Sequence, residues 1–164
     1  MERVLELGGY SARYCGRLFV QTGYSVSRVK SSPKPGWASR MAMNLFLDVE
    51  KQHLDSFRQD LPDSFDVVIV EANSADEAIN LGIEEWKNAI VVVITPFGLS
   101  GPRRNWKATS STLLAMGGYT QLMGDEGRTP LTLPGHYVEF QTAQYAYTAA
   151  TACLFAGEKK LIDV

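Results

Sequence analysis

The sequence predicts an α/β fold, a doubly wound, Rossmann-like parallel sheet with flanking helices, and three observations predict it. Strand-like and helix-like segments alternate from Arg3 to Ile94. The strand candidates, such as "VVIV" and "IVVVI", are unbroken apolar runs, the pattern of strands buried on both faces. Glycines and capping residues punctuate the joins. At 164 residues, 45% hydrophobic and 21% charged, the chain has material for one core and is expected to form one domain over 1–164.

The elements follow in order. "RVLEL", "GGYSARYCGRLFVQTG" and "YSVSRVK" predict strand, glycine turn, helix, glycine stop and strand, a right-handed βαβ unit. "SSPKPGWAS" is a loop; "MNLFLDV" is a third strand candidate, and "EKQHLDSFRQDL" a polar amphipathic helix. "FDVVIVEA" is a fourth strand. A helix follows in "NSADEAINLG", with Ser74 and Glu77 as a capping box and Gly82 as its stop. "NAIVVVITP" is the fifth strand, "TSSTLLAMGG" a short helix, and "YTQLMGDEGRTPLTLPG" a hairpin-like excursion. "VEFQTAQYAYTAATACLFAG" is a long alanine-rich helix closed by Gly157.

Several function classes fall away. No apolar run reaches membrane-spanning length and the start lacks a leader pattern, so a cytoplasmic protein with no membrane partner is expected. Cys15 and Cys153 lie far apart in apolar helical patterns, without CxxC or a His/Cys cluster; both read as small buried hydrophobes, and no metal is expected. A P-loop, a nucleophile elbow and HExxH are absent, and Gly8, Gly9 and Gly16 do not make G-x-G-x-x-G. Lys30 stands where a ribose-binding carboxylate would be wanted. His53 reads as a surface residue on a polar helix, whereas His136, in a turn, fits either a surface or a functional role.

Two basic features remain. Between Glu6 and Asp48 no acid occurs, while Arg13, Arg17, Arg28, Lys30, Lys34 and Arg40 do; this fits either an anionic partner such as phosphate or a solvated basic face. The fifth strand opens into "TPFGLSGPRRNWK", with Gly98 and Gly101 beside Arg103, Arg104 and Lys107. In open α/β sheets ligands sit beyond the carboxyl ends of strands, so this loop is a candidate anion site; a plain Gly-Pro turn is the alternative. Nothing points to nucleic acid.

The ordered series "VLELGGYSARYCGRLFVQTGYSVSRVK", "LFLDV", "DVVIVEAN", "ITPFGLSGP", "LLAMGGYTQLMG" and "TAQYAYTAATACLFAGE" resembles the class III CoA-transferase family, which includes formyl-CoA transferase-like enzymes and acyl-CoA racemases. The resemblance implies a CoA-transferase acting on acyl-CoA and a carboxylic acid. Its nucleophile is an aspartate just before the last helix, at the position of Glu139. By position it assigns Ser11, Asn73, Arg103 and Lys107 to the adenosine and phosphates of CoA and lets pantetheine pass Gly98, with Arg28 and Arg40 as further candidates. Glu139 for Asp, Lys30 for Glu and Thr109-Ser110 for Tyr-Asp depart from the pattern; Glu139 resembles the subgroup of tandem units, in which one unit can be silent. Racemase-like relatives carry a histidine near Ser110, and its absence argues against proton abstraction. The resemblance also implies a chain truncated before a second domain, feeble by itself, with exposed apolar surface for that domain or for a homodimer partner. A silent CoA-binding or scaffolding domain, or an unrelated phosphate-binding domain, stands as the alternative.

Overall fold

The computed structural model describes residues 2–29 and 41–164. Six strands form one sheet: β1 (Arg3–Leu7), β2 (Ser25–Val29), β3 (Gln52–Leu54), β4 (Val67–Glu71), β5 (Ile90–Ile94) and β6 (Leu161–Asp163). The order is β3-β2-β1-β4-β5-β6 and every pairing is parallel. The winding reverses between β1 and β4, whose register sets Leu7 against Val70. That reversal opens a crevice beyond the carboxyl ends of these two strands.

Apolar residues on both sides explain the unbroken runs. Val67, Ile69, Val92 and Ile94 face one cluster with α1 (Tyr10–Gln21) and α5 (Tyr137–Ala156), whereas Val68, Val70, Val91 and Val93 face another with Ile83 and Trp86. The first cluster holds α5 through Ala143, Ala146, Ala150 and Cys153, whose spacing of three and four makes one stripe of small residues. Phe19 of α1 fills the space they leave, meeting Tyr147 edge-on at 4.8 Å. Cys15 and Cys153 are free and buried, and burial pushes the Cys15 thiol up. Outside this stripe α5 leaves Tyr145 63% and Phe155 94% exposed, so apolar surface is open to solvent, as the resemblance implies. Among the described residues, no helix is long and apolar enough to cross a membrane.

Three segments differ from the expectation. "MNLFLDV" is not a strand: Met41–Asp48 form a helix, α2. Met, Ala and Leu are strong helix formers, and a short apolar run fits either period. A tertiary contact selects the helix, because Arg13 reaches Asn44 and Asp48, which lie four apart on one helical face. "EKQHLDSFRQDL" is not a helix either. Glu50 turns at φ 63, Gln52–Leu54 pair with β2 as the edge strand, and a 3-10 turn follows at Leu61–Ser64. His53 is exposed, as expected, but on a strand. The hairpin-like excursion contains a 3-10 turn, Tyr119–Leu122, and one returning backbone bond, Leu131 N–H to the Met123 carbonyl at 3.2 Å, with no paired strand.

The remaining helices match in place. In α3 (Ala75–Ile79) Ser74 accepts from the Glu77 N–H. The Glu77 carboxylate accepts from the Asn73 N–H and side-chain amide, each at 2.8 Å, so the reciprocal half of the capping box falls one residue early. Thr109 caps α4 (Ser110–Met116), and Gly157, at φ 67, ends α5 and sends the chain into β6.

Candidate functional site

The crevice at the sheet reversal is a cavity of about 740 Å³. Its floor is the start of α1, from Gly8 to Ser11, with Glu71 at the end of β4; Thr95 and Pro96 at the exit of β5 and Glu139 at the start of α5 line the same space. Ser11, Arg28 and Asn73 also line it.

Glu139 stands in the first turn of α5, where the helix dipole favours an acid. Ser110, the first residue of α4, donates its hydroxyl to Glu139 Oε1 at 2.8 Å, and His136 Nδ1 lies 3.6 Å from the same oxygen. Glu139 Oε2 is buried and has no hydrogen-bond partner. Aromatic rings close in from one side: Tyr10 lies 4.0 Å from His136, and Tyr14 stacks on Phe140 at 4.3 Å. One carboxylate oxygen is therefore anchored while the other is desolvated and unpaired, which is costly for a charged group.

A second carboxylate shares the cavity. Glu71 Oε2 accepts the Ala12 N–H at 2.9 Å. Burial raises its pKa most strongly, with nearby Glu139 raising it further, against the lowering effect of backbone N–H groups of Ala12, Ser11 and Gly9.

Of the basic interval, Arg13 and Arg28 are held in internal ion pairs, while Lys30, Lys34 and Arg40 lie outside the described residues. Asp48 takes Arg13 at 2.9 Å and Arg28 at 2.7 Å; Glu6 takes Lys51 at 2.6 Å and faces Arg28 at 3.7 Å. The two acids that bound the acid-free interval thus neutralise its central cations. Lys51 also donates to the Arg13 carbonyl at 2.7 Å, and the Glu6–Lys51 pair packs against Gly16, where a Cβ would collide with Glu6 Oε2. Burial pushes Glu6 up to about 7, opposed by Lys51 and Arg28, and lowers Lys51.

The β5 exit loop lies elsewhere. Gly98, at φ 78, packs on Asp163, which accepts the Leu99 N–H at 2.8 Å. Arg103 lies 5.1 Å from the Trp106 ring centroid, Arg104 pairs with Asp76 at 3.7 Å, and Lys107 is exposed. None of Gly98, Arg103 and Lys107 lines the cavity. Arg40 lies outside the described residues. Sequence reasoning did not single out Glu71, Arg13 or Asp48 as cavity residues; the signal for Glu71 was a lone acid ending an apolar strand.

With this geometry in hand, the sequence profile of CoA-transferase family III matches residues 38–161. The chain belongs to CoA-transferase family III. A probable CoA-transferase of Mycobacterium tuberculosis is 36% identical over 78 residues, covering 48% of this chain and 10% of that protein. Two solved structures share the fold. A CAIB/BAIF family protein from Brucella suis has a TM-score of 0.84 at 21% identity, covering 99% of this chain and 51% of its own. A hypothetical protein from M. tuberculosis has a TM-score of 0.79 at 20% identity, covering 98% and 53%. This family III chain spans about half the length of its solved relatives.

Proposed function

We propose that this chain is the CoA-binding N-terminal portion of a CoA-transferase in which Glu139 is the nucleophile. The supporting observation is that Glu139, with Oε1 held by Ser110, lines the cavity that also receives the β5 exit. The Glu139 carboxylate attacks the thioester carbonyl of an acyl-CoA; the C–S bond breaks, leaving a mixed anhydride and the CoA thiolate. The thiolate then attacks the glutamyl carbonyl, releasing the acid and forming a glutamyl-CoA thioester. An acceptor carboxylate runs the same steps in reverse, so that no water or proton is consumed.

The glutamate carries one methylene more than the family's aspartate and moves the reacting oxygen by ~1.5 Å, which near-attack geometry feels. In this reading the chain falls in the subgroup with glutamate at the nucleophile position. Ser11 and Asn73 contact the carrier where it enters the cavity. Gly98, Arg103 and Lys107 follow its nucleotide end outside, and Arg28 holds the inner wall. A second domain or a second copy of the chain covers the exposed apolar face.

A silent CoA-binding domain is the second reading, favoured by the engagement of Arg13 and Arg28 with Asp48. Incubation with acyl-CoA followed by hydroxylamine or borohydride, with peptide mass analysis, separates the two. A mass change on Glu139 that vanishes in Glu139→Gln is expected; an unmodified Glu139 in protein that binds CoA supports the silent domain. CoA at a hundred times its dissociation constant should stabilise the fold by about 2.7 kcal/mol in either case.

A further inference from the structure

The start of α1 is where this architecture offers its amides to a phosphate: a helix N-terminus, preceded by glycines, at the sheet reversal. Here the place is taken. Gly8 has φ +136, and a Cβ on it would lie 2.6 Å from Glu71 Cβ and 2.9 Å from the Glu71 carbonyl oxygen. A Cβ on Gly9, whose backbone is at φ −91 and ψ −142, would lie 2.8 Å from Glu71 Oε1. The Glu71 carboxylate thus lies directly against the second glycine. No side chain caps α1 at Gly9, and the Ala12 N–H is satisfied by Glu71 Oε2. Glu71 reaches that point because it ends β4, the strand beside β1 at the reversal.

We infer that Glu71 is a specificity-determining residue: its carboxylate fills the pyrophosphate position of the fold and so excludes dinucleotides from this crevice. Two effects act together. The Glu71 carboxylate occupies the position against Gly9 and takes the Ala12 N–H, and a pyrophosphate would bring its charge against Glu71 in a cavity that also contains Glu139. A phosphorylated ligand of this cavity must therefore place its phosphates away from the α1 amides. This inference stands whether or not Glu139 reacts.

The test uses the chain itself with inorganic pyrophosphate as probe, followed by thermal melting and by the backbone amide resonances of Gly9, Ser11 and Ala12. Pyrophosphate should leave those amides unmoved in the native protein and in Glu71→Gln, whose carboxamide oxygen still fills the place. Glu71→Ala, with amides freed and glycines retained, should melt lower and regain roughly 5 °C or more at saturating pyrophosphate, with shifts at the three amides. A saturable shift at these amides in the native protein overturns the inference. So does a Glu71→Ala protein that stays folded without responding, or one that pyrophosphate fails to refold.

Discussion

At the scale of single residues, the two carboxylates of the cavity are held in opposite ways. Glu71 is bound by backbone N–H groups at a helix start, whereas Glu139 has one oxygen on Ser110 and the other unpaired. Among the described residues, Ser110 donates its hydroxyl to Glu139 Oε1 and so anchors that oxygen. In the proposed reaction Ser110→Ala should lower kcat about tenfold, equivalent to ~1.4 kcal/mol, with KM little changed; Ser110→Thr should restore most of the rate. Steady-state kinetics on the two variants check this, and an equal loss in both would assign Ser110 to packing. Glu139 was legible as a helix-start acid once the resemblance supplied a register, but its hydrogen bonds come from α4, 29 positions earlier, and no local pattern encodes them.

At the scale of elements, α2 shows why a segment can change type on folding. Its sequence is short, apolar and free of β-branched residues, and either period fits. Arg13 on α1 decides, because only a helix brings Asn44 and Asp48 to one guanidinium. Asp48→Ala would leave Arg13 and Arg28 buried without their shared partner. We expect a loss of about 3–5 kcal/mol, measured by urea unfolding, together with loss of helical signal from α2. Arg13→Met in the same background should recover much of it, since one buried cation is then removed. The displaced strand assignment has the same origin. Gln52–Leu54 have little strand character of their own and gain it by lying along the open edge of β2, with Ser27 opposite Gln52 and Val29 opposite Leu54.

At the scale of the whole molecule, the buried pair of Glu6 and Lys51 ties the sheet to α1 and carries a pH signature. Burial raises Glu6 from 4.5 to about 7. Between those values the folded chain keeps a proton that the unfolded chain has released, so this contribution is full below about 4.5 and is lost as the pH rises to 7. Denaturation measured across that interval should show stability falling with pH, and Glu6→Gln should flatten the slope. A slope of the opposite sign in the native protein would mean that Lys51 and Arg28 hold the carboxylate ionised in the fold.

The sheet was legible because β1, β4 and β5 are buried on both faces and must be apolar throughout, whatever packs on them. The helices of the first βαβ unit and the last long helix were legible for a related reason: their glycine stops act within a few residues. The sequence by itself therefore determined the doubly wound class, the direction of the strands and the presence of an acid at the start of the last helix. Tertiary structure decided α2, the edge strand and the fate of the basic residues, since charges choose partners by distance in space: Arg28 finds Asp48 twenty positions away, while Arg103 and Lys107 miss the cavity. It also decided that the α1 amides meet Glu71, because two segments 59 positions apart become neighbours only where the sheet reverses.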